Sequence, residues 1–310
     1  MPKSTLSQSL LELSDAIEQL ANIITQQKEA DNAIQIQQFS LIVNRFKNTT
    51  QQLSSENNIN HTPAKNNQQH ILKAYQKGYL KNWLAQHNII TADYIENLKV
   101  DDYLFAAVEY LADHYQHLHA FYKQLKYHQN IRKNFTHHTS ANSISYIKKW
   151  CTMLQQHHLI DAFKIENENI YIDIAEVHNA TYFIYGYWLE LLLRREIAQL
   201  LHQHLSHIQS FDIISQASVM LPDKQLTELD LLLMVNNQVY WFECKSGTIQ
   251  TYYEKFNQHR KIMKLDAQHA FLIIPHRDAN IALQTQKRSG MTTLYGIELE
   301  QQLQEIIFKN

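Results

Sequence analysis

Two charged residues close an apolar run late in the chain: Glu243 and Lys245, in Trp-Phe-Glu-Cys-Lys-Ser-Gly, residues 241–247. Two positions apart, they share one side of an extended strand, while Cys244 faces the other. The stretch reads ELDLLLMVNNQVYWFECK, with Asp230 six residues ahead of Asn236 and Glu243 six beyond Asn237. Asn-Asn between apolar runs is a tight-turn signal, and a hairpin centred there brings both carboxylates to the same end of its strands. Carboxylates at the end of a buried hairpin repel each other and need a cation between them. A hard divalent ion with oxygen ligands, Mg2+ or Mn2+, meets that need. Lys245 would then hold or deprotonate a water beside it.

A third carboxylate comes from YWLELLLRREIAQLLHQHL. At 100° per residue, Glu190 projects between Ile197 and Leu201, inside the apolar arc made with Leu189, Leu193 and Leu200. A carboxylate on a packing face is unfavourable unless something compensates it. Glu196, at the opposite margin of the arc, is its rival.

The elements that must position these residues follow from periodicity. After that helix, strands are expected near 212–219, 229–235, 238–244, 270–274 and 292–297, with YYEKFNQHRKIMKL as a crossing helix. Residues 181–310 therefore read as a mixed α/β domain. Ahead of it, residues 136–180 hold a helix followed by a hairpin around Glu-Asn-Glu-Asn, a winged-helix-like connector. Residues 1–135 read as helical throughout: a hairpin over 4–54 whose first helix carries a heptad seam, a polar joint at 54–67, and further helices over 68–128. The fold class is α+β. The heptads point to a homodimer or to a helical partner protein docking through residues 1–54.

Composition narrows the function. A formal net charge of -2 gives no overall pull toward nucleic acid or membrane, so such affinity must be local. Two cysteines in unrelated contexts suit a reducing cytoplasm, and no apolar run reaches the ~20 residues of a membrane span. Between Asp113 and Asp161 there is no acidic residue, while Lys123, Lys126, Arg132, Lys133, Lys148 and Lys149 are interleaved with tyrosines, a tryptophan and eight histidines. Lys148 and Lys149 there, with Arg260 and Lys264 on the crossing helix, are the candidate nucleic-acid contacts.

Asp230, the Glu243-x-Lys245 tripeptide and the Gly186-Tyr-Trp-Leu-Glu190 step resemble the PD-(D/E)xK, or restriction-endonuclease-like, nuclease superfamily. The pattern is similar in particular to the nuclease domain of CRISPR-associated effectors that also carry a cyclic-oligonucleotide-sensing CARF domain. The resemblance implies that Asp230, Glu243 and the Cys244 backbone carbonyl ligate metal, that Lys245 orients the attacking water, and that Glu190 supports the metal or its water. It implies a DNA endonuclease, DNA being preferred over RNA, in defence against foreign nucleic acid. The helical front lacks the α/β alternation of a CARF domain, so activation by a cyclic oligonucleotide is not carried over. Two other readings stand beside it: a metal-free HEPN-like RNase using Arg132 with His137 or His138, and a non-catalytic nucleic-acid-binding scaffold.

Overall fold

The computed structural model describes residues 74–95, 102–128, 134–166, 168–175 and 178–308. All belong to the unit His70–Asn310. The heptad hairpin expected over 4–54 lies outside the described residues.

The main sheet has six strands, in the order β1 (Ile90–Ile95), β5 (Phe211–Met220), β6 (Leu226–Val235), β7 (Gln238–Cys244), β8 (Ala270–Ile274) and β9 (Thr292–Tyr295). Strands β1, β5, β6 and β7 pair antiparallel in turn, and β7, β8 and β9 are parallel. Helices α7 (Tyr253–Ile262) and α8 (Ala279–Ser289) make the two parallel crossovers. This is the mixed α/β sheet that the alternation of elements predicts.

Both faces of the sheet are covered, which explains the continuous apolar runs. Leu231, Leu233, Val235, Tyr240 and Phe242 enter one core with helices α2 (Asp102–Asp113), α3 (Tyr115–His128), α4 (Ala141–Gln156), α6 (Trp188–Gln203) and α9 (Leu299–Phe308). Leu232, Met234, Val239 and Trp241 enter the other, against Leu80 and Leu84 of α1 (Tyr79–Gln86) and Tyr253 and Phe256 of α7.

The structure differs from expectation in the front. Residues 90–95 form an edge strand, not helix, and extend the main sheet beside β5. Ile90, Thr91, Tyr94 and Ile95 suit a pleated edge, but so short a run carries little periodic signal. The first core draws its residues from Ala74 to Leu303, on both sides of positions 135 and 180. Helix α4 is followed by the hairpin of β3 (Ile160–Glu166) and β4 (Asn169–Ile174), and β2 (Asn134–His138) adds a third strand on β4. Among the described residues no helix is long and apolar enough to cross a membrane.

One core histidine makes stability depend on pH. His259 of α7 is 1% exposed, beside Trp241, and its Nε2 lacks a hydrogen-bond partner. Burial, helped by Lys255, lowers its pKa to about 4. The unfolded chain therefore takes up a proton before the folded one, and stability from this residue falls as pH drops from its ordinary value toward 4. Wild type is expected to lose roughly 2 kcal/mol more than His259→Phe over that interval, measured as the difference between their urea-unfolding free energies. Parallel pH profiles would refute it.

Candidate active site

The site forms where β6 and β7 separate. Their turn has Asn236 and Asn237 both in the left-handed region, φ 50° and 68°, the geometry of a two-residue type I′ hairpin. That turn sets the register Val235↔Gln238 through Leu231↔Phe242, and the next opposed positions are Asp230 and Glu243. The ladder stops there. Cys244 N–H, directed at β6 like that of Phe242, donates to Asp230 Oδ2 at 2.7 Å instead of to a backbone carbonyl. Strand geometry sends the Cys244 carbonyl toward the same opening.

Both carboxylates are deeply placed, Asp230 7% and Glu243 3% exposed. Glu243 Oε1 accepts the Trp241 indole N–H at 3.1 Å and faces Asp230 N–H at 3.4 Å, so the carboxylate has a fixed orientation. Lys245 Nζ lies 3.4 Å from Asp230 Oδ2 and 3.4 Å from Glu243 Oε2. It sits over the rings of Tyr252 and Phe256, at 5.6 and 5.8 Å. The cation that two opposed carboxylates need is thus supplied by the protein itself. Burial raises the Glu243 pKa to about 7, reinforced by Asp230 and opposed by Lys245. Burial disfavours the Lys245 ammonium, yet Glu243 and Asp230 outweigh that and hold its pKa above the ordinary lysine value. Lys245 is accordingly a proton-bearing donor here.

Glu190 arrives from the other side of the sheet. Short helix α5 (His178–Tyr182) runs through a widened π turn, Phe183–Tyr187, into α6, and Glu190 occupies the first turn of α6. Gly186, φ 136°, makes the turn possible, and a side chain on it would strike Ser246 Oγ. Glu190 Oε2 is shielded and has no hydrogen-bond partner. Burial first, then the Asp230 charge, push its pKa well above the carboxylate range. Glu196 is directed elsewhere: its neighbours are Glu300, Glu109 and Arg195.

A solved structure shares this fold. Can2 from Sulfobacillus thermosulfidooxidans, in complex with cyclic tetra-adenylate, superposes with a TM-score of 0.55 at 15% identity, covering 74% of this chain and 60% of that one. Protein VC1899 from Vibrio cholerae matches with a TM-score of 0.49 at 18% identity, covering 71% and 58% respectively. The chain therefore spans about three-fifths of the length of these structures. No family model and no curated protein matches the sequence.

The remaining predicted contacts scatter. Lys148 and Lys149 are exposed on α4, the latter 4.7 Å above the Tyr110 ring. Lys264 is exposed in the turn beyond α7, not on the helix as expected. Arg260 points inward: its Nε donates to the Ser289 carbonyl at 3.0 Å and Nη1 to the Leu265 carbonyl at 2.7 Å. Carbonyls at helix ends need donors, and Arg260 satisfies that of Ser289, the last residue of α8, and that of Leu265, just beyond α7.

Four residues not singled out as site residues also reach the site. Trp241 orients Glu243. Glu228, two residues before Asp230, keeps part of its surface open, and its pKa is raised by the partial burial of its carboxyl and then by the Asp230 charge. Lys126 of α3 and Tyr122 both hydrogen-bond to Ser246, the residue after Lys245. Burial, then Lys245, lower the Lys126 pKa to about 8. The Glu-x-Asp spacing of 228 and 230 is visible in sequence; the approach of α3 depends on tertiary packing.

Proposed function

We propose that this protein is a metal-dependent endonuclease that hydrolyses DNA phosphodiester bonds, in the manner of the PD-(D/E)xK nucleases it resembles, with a setting in defence against foreign nucleic acid. One observation carries the reading: Asp230 and Glu243 face each other across an opened ladder, with Lys245 Nζ 3.4 Å from both. Among the described residues no three His, Cys, Asp or Glu side chains already converge on one point. The donors nonetheless suit a hard cation: two carboxylates, the Cys244 carbonyl directed into the same opening, and the unpartnered Glu190 Oε2, whose carboxyl feels the Asp230 charge.

Asp230, Glu243 and the Cys244 carbonyl would hold Mg2+ or Mn2+, with Glu190 supporting the ion or its water. Such an ion supplies Lewis-acid stabilisation of the phosphoryl oxygens and a more acidic water. The chain's own residues do the rest. Trp241 fixes the Glu243 carboxylate. Lys245, protonated and anchored on Tyr252 and Phe256, gives a hydrogen bond to the attacking water and holds it in line. Plasmid nicking with Mg2+ or Mn2+ tests the proposal: activity is expected in wild type and lost in Asp230→Ala, and nicking that survives Asp230→Ala and Lys245→Ala would sink it.

Glu243 must give up its proton to receive an ion. With its pKa at about 7, divalent-ion affinity is expected to rise as pH goes from slightly acid to slightly alkaline, with proton release on binding. Calorimetry in buffers of different ionisation enthalpy measures both; affinity flat with pH would contradict the assignment of Glu243.

The HEPN-like reading loses its element. His137 lies on strand β2, 3% exposed, with Nδ1 2.7 Å from Gln124, while exposed His138 sits 3.5 Å from Glu168. Neighbours on a strand face opposite sides, so His137 and His138 are directed opposite ways. Arg132 lies outside the described residues.

A further inference from the structure

We propose that Lys126 and Ser246 form a phosphate-binding subsite next to the reacting centre, which grips a DNA phosphodiester adjoining the one cleaved. The identity of this anion rests on the nuclease reading; the cation-and-hydroxyl cradle does not.

The geometry starts from one hydroxyl. Lys126 Nζ donates to Ser246 Oγ at 3.0 Å, and Tyr122 O–H donates to it at 3.1 Å. A serine hydroxyl has two acceptor positions and one proton. With both acceptor positions taken, that proton is left to donate outward, and Ser246 is partly open to solvent. Lys126 uses one of its three N–H bonds on Ser246, and no carboxylate among the described residues pairs with it. Two lysines thus flank Ser246 with opposite employment. Lys245 is neutralised by Asp230 and Glu243; Lys126 keeps an uncompensated charge in a half-buried place, which an anion would relieve.

The backbone leaves room for such a ligand. Gly247 is exposed, and a methyl group on it would come 3.2 Å from Lys126 Nζ. Gly186 borders the same ammonium: a methyl group on it would come 3.7 Å from Lys126 Nζ and would collide with Ser246 Oγ. Both glycines therefore line the ammonium without covering it. A cation, an outward hydroxyl and two bare backbone segments match the non-bridging oxygens of a phosphodiester.

Binding of a fluorescein-labelled DNA duplex in EDTA, followed by anisotropy over a salt series, separates this proposal from catalysis. Lys126→Gln is expected to weaken binding ~10-fold, the scale of one charge-assisted hydrogen bond, and to reduce the salt slope by about 1. Lys126→Arg should keep most of the affinity, and Ser246→Ala should lose less than Lys126→Gln. Binding and slope unchanged in Lys126→Gln overturn the subsite, as does a loss of binding with no change of slope, which signals a structural role. Wild type that fails to bind DNA also overturns it. Wild type that binds through Lys126 but cleaves with no divalent ion leaves the subsite standing and removes the nuclease reading. Cleavage that is intact while Lys126→Gln binds like wild type does the reverse.

Discussion

Lys245→Met is expected to lower DNA cleavage ~10²- to 10⁴-fold, the range for losing a proton-handling or water-holding group, and to destabilise the metal-free protein as well. The second effect follows from the position of the ammonium. It is the counter-charge of two carboxylates that are 8% and 4% exposed, and without it one of them must take up a proton or both must repel. Breaking a fully buried pair removes 3–5 kcal/mol; because 24% of the Lys245 side chain meets solvent, about 2–3 kcal/mol is expected here. Thermal unfolding in EDTA reads this directly. Adding Mn2+ should then raise Tm more in Lys245→Met than in wild type, since the ion replaces the missing charge and no ammonium competes with it. A Tm indifferent to the substitution in EDTA would show that the carboxylates do not depend on Lys245.

The second large effect is at Gly186. Its φ of 136° is poorly accessible to any other residue, and an added Cβ would meet Ser246 Oγ. Gly186→Ala is expected to lower stability by about 1–3 kcal/mol, roughly 2–6 °C in Tm, and to reduce cleavage by shifting Glu190, which the same turn delivers to the site. Gly78→Ala is the control: φ is positive there as well, at 84°, but nothing lies within 4 Å of the added carbon, so only backbone strain remains. Ser246→Gly combined with Gly186→Ala should recover part of the loss, and the size of that coupling separates collision from strain. Equal losses at Gly78 and Gly186 with no coupling would exclude the packing argument.

The carboxylate pair was legible in the sequence because a two-residue turn leaves no freedom of register. Once Asn236-Asn237 is recognised, Asp230 and Glu243 are opposed by counting, and the observed ladder keeps that count up to Leu231↔Phe242. Glu190 was legible by a different route, as a charge inside an apolar helical arc. Periodicity is silent on what approaches from elsewhere in the chain. Lys126 lies on a helix whose own pattern says only that Phe121, Tyr122 and Leu125 are buried; that its ammonium arrives beside Ser246 is a result of packing α3 against the sheet. Arg260 fails for a related reason. A basic residue on a helix looks available until one knows which carbonyls lie within its reach, here those of Leu265 and Ser289. The edge strand 90–95 was missed because six residues with one mostly open face give almost no alternation of burial.

The amide of Cys244 hydrogen-bonds a carboxylate where its neighbours along the strand have strand partners. Its proton is therefore a built-in spectroscopic reporter of the site. In a 15N-labelled sample the Cys244 resonance should shift when Asp230 changes charge, and its exchange with solvent should quicken if a cation draws that carboxylate away and slow if the cation holds it in place. The signals of Tyr240 and Phe242, locked in the ladder, should stay where they are and serve as the internal reference.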